Sequence, residues 1–453
     1  MMPHCAAHAA RRAHAARRAQ LLGRMQPGAV AVLGTASEVP RNGDSDYPYR
    51  HDSHFYYLSG FAEPESFVAL VAARGERPAR TILFCREKNA EREIWEGFRF
   101  GPAAARDAFG FDEAWPIDEL DARMADILAD APALYYALGH GAELDARVAG
   151  WLKAVRARGR TGVTAPQTTH HLLAMLDEMR LLKDEHEIAL MARAGVISAQ
   201  AHARAMRATR PGMFEYEIEA ELLHEFRRNG AQFPAYPSIV ASGPQACVLH
   251  YNANDRRIAD GDLVLIDAGC ELDGYASDIT RTYPANGRFS DAQRTLYELV
   301  LRAQAAALAA IHPGRPYSAI HDAAVRVLTE GMLDLGLLDR SKVGTLDEAI
   351  DTRAYAQFYM HGTGHWLGMD VHDVGAYRDV TLPDKPSRPL LPGMALTVEP
   401  GIYVRPGEGV PERFWNIGIR IEDDVVVTDA GCRILSAGAP KEVAEIEALM
   451  RKH

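Results

Sequence analysis

The sequence predicts an α/β N-terminal domain over about residues 1–175, followed by an α+β domain over residues 176–453 that carries the chemistry. Three observations predict it. Strand-like and helix-like segments alternate through the first part of the chain. A helix, Pro-Gly, helix pattern then occurs twice, at Pro211-Gly212 and Pro313-Gly314, and strand-like segments follow each copy. Three histidines, His361, His365 and His372, fall in one short Gly-rich stretch.

Composition bounds the reading. The chain has 453 residues, room for two or three domains. With 47% hydrophobic and 25% charged residues it reads as globular. No apolar run approaches the roughly 18 residues needed to span a membrane. A net charge of −11 argues against nucleic acid as a partner. The five cysteines are widely spaced and form no Cys-x-x-Cys, which suggests reduced thiols in a cytosolic protein. Residues 1–25 hold five Arg and no Asp or Glu, weakly like a transit peptide, yet they lack Ser enrichment. They read as an Ala/Arg-rich helix with a dispensable tip.

In the first domain, residues 12–25 read as a helix ending at Pro27-Gly28. Ala29 to Leu33, Phe67 to Ala73, Thr81 to Cys85 and Leu134 to Leu138 read as strands bounded by turn residues. Asp118 to Leu128 and Glu143 to Val155 read as helices between them. The aromatic cluster from Tyr47 to Tyr57 reads as core and interface, and no catalytic constellation is visible here.

Pro166 to Asp184 is the expected boundary. Asp184-x-x-Glu187 resembles a capping box, and Ile188, Met191, Ala192, Val196 and Ala199 recur at helical spacing. A second helix runs from Glu215 to Asn229 and stops at Gly230. Ser290-x-x-Gln293 caps a third helix to His312, and a fourth runs from Ser318 to near Gly336. The repetition points to two halves around one sheet, although two helix pairs can also coincide.

The carboxylates come next. Leu263 to Ile266 reads as a buried strand ending in Asp267, and Tyr275 to Tyr283 as a second strand with Asp278 in its middle. A turn centred on Leu272-Asp273 opposes Asp267 and Asp278 directly, with Cβ atoms about 4.5–5.5 Å apart. A turn at Asp273-Gly274 breaks that match. Carboxylates that close need a proton or a cation between them. Glu399 closes the strand from Met394. Ile417 to Glu422 alternates, with three Ile on one face and Gly418, Arg420 and Glu422 on the other. That face is either a solvated salt bridge or a metal ligand oriented by an Arg. Gly residues between His361 and His365 let the backbone bend and approach a ligand.

Asp267, Asp278, Glu399 and Glu422 with one His are too anionic for a single compact ion site. They suit two divalent cations sharing carboxylates. Oxygen-rich ligation favours Mn²⁺, with Co²⁺ and Zn²⁺ also able to bind. Paired metals polarise a carbonyl, so hydrolysis of an amide is the implied reaction.

The set Asp267, Asp278, His365, Glu399 and Glu422 resembles the five-ligand pattern of the pita-bread metallopeptidases, and within them the Xaa-Pro aminopeptidases, or aminopeptidases P. The local motifs are Leu265-Ile-Asp267-Ala-Gly, Ser277-Asp278-Ile-Thr-Arg281, His361-Gly-Thr-Gly-His365-Trp-Leu-Gly, Val371-His372-Asp-Val-Gly, Thr397-Val-Glu399-Pro-Gly and Gly418-Ile-Arg420-Ile-Glu422-Asp. Tyr49 to Phe55, Leu58 to Phe61, Glu63 to Glu65 and Arg92 to Gly97 resemble the family's N-terminal domain, which is creatinase/prolidase N-terminal-like. The tail from Pro440 to Met450 matches as well. The likeness covers nearly the whole chain from about residue 15.

The resemblance implies a fold, a reaction and roles. The second domain is expected to be a pita-bread catalytic domain with a pseudo-twofold repeat. Asp267 and Asp278 would bind one metal. Asp278, His365, Glu399 and Glu422 would bind the other, with Asp278 and Glu422 bridging. Glu399 would be the general base, His361 would shuttle protons near the leaving group, and His372 would hydrogen-bond the scissile carbonyl. His250 would line the substrate pocket, and Arg420 would orient a ligand carboxylate. Trp95 would reach a neighbouring subunit's site in a homodimer or homotetramer. The expected activity is release of the N-terminal residue from peptides with Pro second, in the cytoplasm. Gly364, a position that is often Ser in aminopeptidases P and Gly in prolidases, keeps an Xaa-Pro dipeptidase as the alternative. A metal-free hydrolase similar to creatinase and a non-catalytic pita-bread module should both lack ligands that are present here.

Overall fold

The computed structural model describes residues 4–451. It divides into two compact units, residues 1–180 and 181–453. The division falls at the end of the helix Leu172–Leu181, a few residues past the expected edge at 175. The first three and last two residues, including the extreme tip of the Arg-rich segment, lie outside the described residues.

In the first unit the alternation of β-branched and aromatic residues folds as a mixed six-stranded sheet. Its order is Glu113–Pro116, Arg80–Cys85, Phe67–Val71, Val30–Gly34, Ala133–Tyr136 and Thr168–His171. Val30, Val32, Ile82, Phe84 and Leu134 are buried, with Trp151 of the helix Ala142–Ala157 packed among them. Each large side chain sunk there contributes about 1.5–3 kcal/mol. The edge strands Glu113–Pro116 and Thr168–His171 escape a reading based on hydrophobic pattern, because neither has a fully buried residue.

The second unit repeats one device. The helix Glu185–Ala208 starts at a capping box: Glu187 N donates to Asp184 Oδ1 at 2.9 Å and Asp184 N to Glu187 Oε2 at 3.0 Å. It packs on the helix Glu215–Arg228. A three-stranded antiparallel sheet follows, ordered Ile239–Ser242, Leu263–Asp267, Thr280–Pro284. The helices Asp291–Ala309, capped by Ser290 and Gln293, and Ser318–Asp334 form the second pair. A second three-stranded antiparallel sheet follows them, ordered Ala395–Val398, Asp423–Thr428, Gly431–Ile434. The third helix ends at Ala309, before the expected His312, so a short turn precedes Pro313.

The two halves are stitched along one seam. Glu422 N donates to Thr280 O at 3.0 Å, and Thr282 Oγ1 donates to Arg420 O at 3.0 Å. Arg281 donates to Asp423 Oδ1 at 2.7 Å and to Glu422 O at 2.5 Å, with the Arg281–Asp423 pair wholly buried. Removing one partner of such a pair strands the other charge, at a cost of about 3–5 kcal/mol. The strand ends that carry the acidic residues therefore meet at this seam.

Candidate active site

The turn settles at Asp273-Gly274, where both residues take positive φ, +50° and +81°. Glu271 pairs with Ala276, and Asp267 pairs with Thr280 rather than Asp278. Moving a hairpin centre by one residue moves each partner by two. The expected strand from Tyr275 is also broken: Asp278 falls between the strands Tyr275–Ala276 and Thr280–Pro284, two residues before Thr280, and so lies diagonal to Asp267. The direct opposition is lost and the proximity is retained.

Tyr236 makes that proximity concrete. Its hydroxyl lies 2.6 Å from Asp267 Oδ1 and 2.5 Å from Asp278 Oδ1. One phenol proton can serve only one of them. From the other half, Glu422 Oε2 accepts from Thr280 Oγ1 at 2.6 Å. Arg420 reaches three groups: Nη2 donates to Asp267 Oδ2 at 2.6 Å, Nη1 to the Tyr403 hydroxyl at 3.0 Å, and Nε to Thr280 Oγ1 at 3.0 Å. Arg420 and Glu422 are both buried, so the solvated-face reading of that strand does not hold.

His365 turns Nε2 towards Asp278 Oδ2 at 3.4 Å and Glu399 Oε1 at 3.7 Å. Its Nδ1 lies 2.9 Å from Trp366 O, so Nδ1–H donates there and Nε2 is the nitrogen left facing the carboxylates. His361 lies 3.6 Å from Glu399 Oε2 and takes a hydrogen bond on Nε2 from the Tyr403 hydroxyl at 2.9 Å. The His365 and His372 rings are 4.1 Å apart. His250 enters from the loop that follows Cys247.

All nine predicted residues line one cavity of about 620 Å³: Asp267, Asp278, His365, Glu399, Glu422, His250, His361, His372 and Arg420. Leu249, Ile239, Pro237 and Val371 add an apolar wall. Among the described lining residues Arg420 is the sole Lys or Arg. Burial drives the Glu422 carboxyl well above the ordinary carboxylate range, and Asp278 and Glu399 push it further. Burial raises Glu399 to about 7 and lifts Asp267 despite Arg420. For His365, burial disfavours the charged ring, but Asp278 and Glu399 outweigh it and hold the imidazole up to about 9. Asp278 also feels burial, and its contact with His365 brings it below the usual range.

Such a set calls for positive charge. Ligand atoms of Asp278, His365 and Glu422 lie within 4.8 Å of one another. Hard oxygen donors with one imidazole nitrogen, which gives up its proton when a metal binds, fit divalent cations.

Four contributors carried no sequence signal strong enough to single them out. Thr280 sits two residues from Asp278, and that spacing was the available clue. Tyr403 and Tyr236 come from other strands and loops, and only folding brings them in. Asp424 likewise anchors the Asp278 loop, accepting from Asp278 N at 3.0 Å and Ser277 Oγ at 2.8 Å.

The doubled helix-pair and sheet architecture, with this acidic cavity at its seam, defines a metal-dependent hydrolase of the pita-bread fold. The chain belongs to metallopeptidase family M24: residues 189–429 match that family's model, and residues 14–135 match the N-terminal domain of aminopeptidase P. It is similar to the Xaa-Pro aminopeptidase of Escherichia coli (strain K12), 45% identical over 430 residues that make up 95% of each chain. It resembles the structure of Pseudomonas aeruginosa aminopeptidase PepP with a TM-score of 0.94 and 49% identity over 98% of each chain. Escherichia coli aminopeptidase P in complex with substrate matches with a TM-score of 0.93 and 45% identity, covering 98% of this chain and 99% of that one.

Proposed function

We propose that this chain is a dinuclear-metal aminopeptidase that releases the N-terminal residue from peptides with Pro at the second position. The observation that carries the reading is convergence: nine side chains scattered from His250 to Glu422 line one cavity of the size ligand sites take. Two divalent cations, Mn²⁺ by the oxygen-rich donor set, would supply Lewis-acid polarisation of the scissile carbonyl and make water a better nucleophile.

Asp267 and Asp278 would hold one cation. Asp278, His365, Glu399 and Glu422 would hold the other, with Asp278 and Glu422 shared. Glu399 accepts the proton of the attacking water as general base. His361, 3.6 Å from Glu399 Oε2 and oriented by the Tyr403 hydroxyl, relays the proton that Glu399 takes from water towards the leaving amine. His372 donates to the scissile carbonyl, while His250 and the apolar wall receive the substrate. Arg420 keeps Asp267 aimed into the cavity.

The relatives reported above are aminopeptidases, which leaves the dipeptidase reading without support. A homodimer or homotetramer is supported by Trp95, 83% exposed on the helix Ala90–Glu96, whose residues are all unburied. A cytoplasmic setting is supported by the free thiols Cys85, Cys247, Cys270 and Cys432, and among the described residues no helix is long and apolar enough to cross a membrane.

The test is Mn²⁺-supplemented hydrolysis of Xaa-Pro-Xaa tripeptides beside Xaa-Pro dipeptides. Turnover of the tripeptide that stops on chelation and returns with Mn²⁺ is expected. Turnover of the dipeptide alone, or indifference to chelation, would overturn the reading.

A further inference from the structure

A buried ion pair sits behind the histidine loop. Lys183 Nζ donates to Asp373 Oδ2 at 2.8 Å, and both side chains are 1% exposed. Asp373 directly follows His372. Its backbone N–H donates to Trp366 O at 2.9 Å, closing the loop between the residues next to His365 and His372. Gly368 N donates to Asp370 O at 3.1 Å inside that loop, and Ala276 N donates to Gly368 O at 2.8 Å from the strand Tyr275–Ala276.

Gly368 is shaped around the pair. A Cβ there would lie 2.2 Å from Asp373 Oδ2 and 2.9 Å from Lys183 Cε. Lys183 is itself pinned: its N–H donates to Gly393 O at 2.9 Å, and Leu182 bridges to Met394 at the start of the strand that leads to Glu399. So the ammonium is held by the frame of one half-sheet, and the carboxylate by the loop that carries His372.

A buried ion pair is a poor source of stability, since apolar replacements of equal volume are often neutral or better. Its directional bonds fix geometry instead. We propose that Lys183 and Asp373 are positioning residues, which hold the loop 366–373 so that the His372 ring stays over His365 in the cavity. This rests on the aminopeptidase reading above, in which His372 meets the scissile carbonyl.

The experiment uses the full chain loaded with Mn²⁺ and a Xaa-Pro-Xaa tripeptide. Lys183→Met/Asp373→Leu, with the charge-keeping Lys183→Arg as a milder variant in case the double one fails to fold, are compared for kcat, KM, melting temperature and bound metal. Expected is a 10–100-fold fall in kcat at near-native melting temperature and metal content. In a His372→Ala background the same changes should cost less than threefold more. Native kcat in a stably folded variant, or a full further loss in the His372→Ala background, would overturn the proposal. An inactive unmodified enzyme would instead overturn the aminopeptidase reading.

Discussion

Arg420 donates through Nη2 to Asp267 Oδ2 at 2.6 Å, with both groups almost out of solvent. The same guanidinium holds Tyr403 and Thr280 through its other nitrogens. Its planar fork is therefore used in three directions, which a lysine ammonium on a flexible stem cannot reproduce. Arg420→Lys should keep the charge yet lower kcat/KM at least tenfold and weaken metal retention, read by steady-state kinetics and metal analysis.

The cation dependence should grow with pH. Glu399 is raised to about 7 and Glu422 and Asp267 are raised too, so without metal the folded state keeps protons there that the unfolded chain releases near 4–5. That contribution is present below the unfolded value and lost as pH rises through the folded one. Bound cations need the deprotonated groups. The gain in melting temperature on adding Mn²⁺ to chelated protein should therefore increase from pH 5 to pH 8. A gain that is flat or falling over this range would contradict the assignment.

Glu399→Gln keeps the shape of the side chain and removes the base. Loss of a positioned general base typically costs 10²–10⁴ in rate. We expect kcat to fall by about 10³ with only a small change in melting temperature, and residual activity above a tenth would argue for a different base.

Gly364 tests why the histidine motif contains glycine. Neither Gly362 nor Gly364 has positive φ, so bending freedom is not the reason. A Cβ on Gly364 would lie 2.0 Å from Thr397 O, in the strand that leads to Glu399. Thr397 N donates to His365 O at 2.9 Å across the same contact. Gly364→Ala must push the two ligand-bearing segments apart. A stability loss of about 1–3 kcal/mol or more by denaturant unfolding, with loss of activity, is expected.

His202 governs part of the acid limb of stability. Its Nε2–H donates to Ala268 O at 2.9 Å, and burial lowers its affinity for protons to about 4. The unfolded ring takes a proton near 6.5, so this contribution is full above that pH and is lost as pH falls towards 4. Each unit of separation is worth about 1.4 kcal/mol. His202→Gln should flatten the fall in stability between pH 6.5 and 4, measured by denaturant titration at each pH.

The two helix caps at Asp184 and Ser290, the strands ending at Asp267 and Glu399, and the identity of the nine cavity residues were all legible in the sequence. Caps, periodicity and tight motifs are local, and local order is written in neighbouring residues. The Asp273-Gly274 turn, the diagonal placement of Asp278, the part played by Tyr236 and the exclusion of water from Arg420 were not. They depend on which of two nearly equal registers forms and on segments more than a hundred residues apart closing over one another. Desolvation and carboxylate repulsion arise only when those surfaces meet, so the charge state of the cavity belongs to the tertiary structure alone.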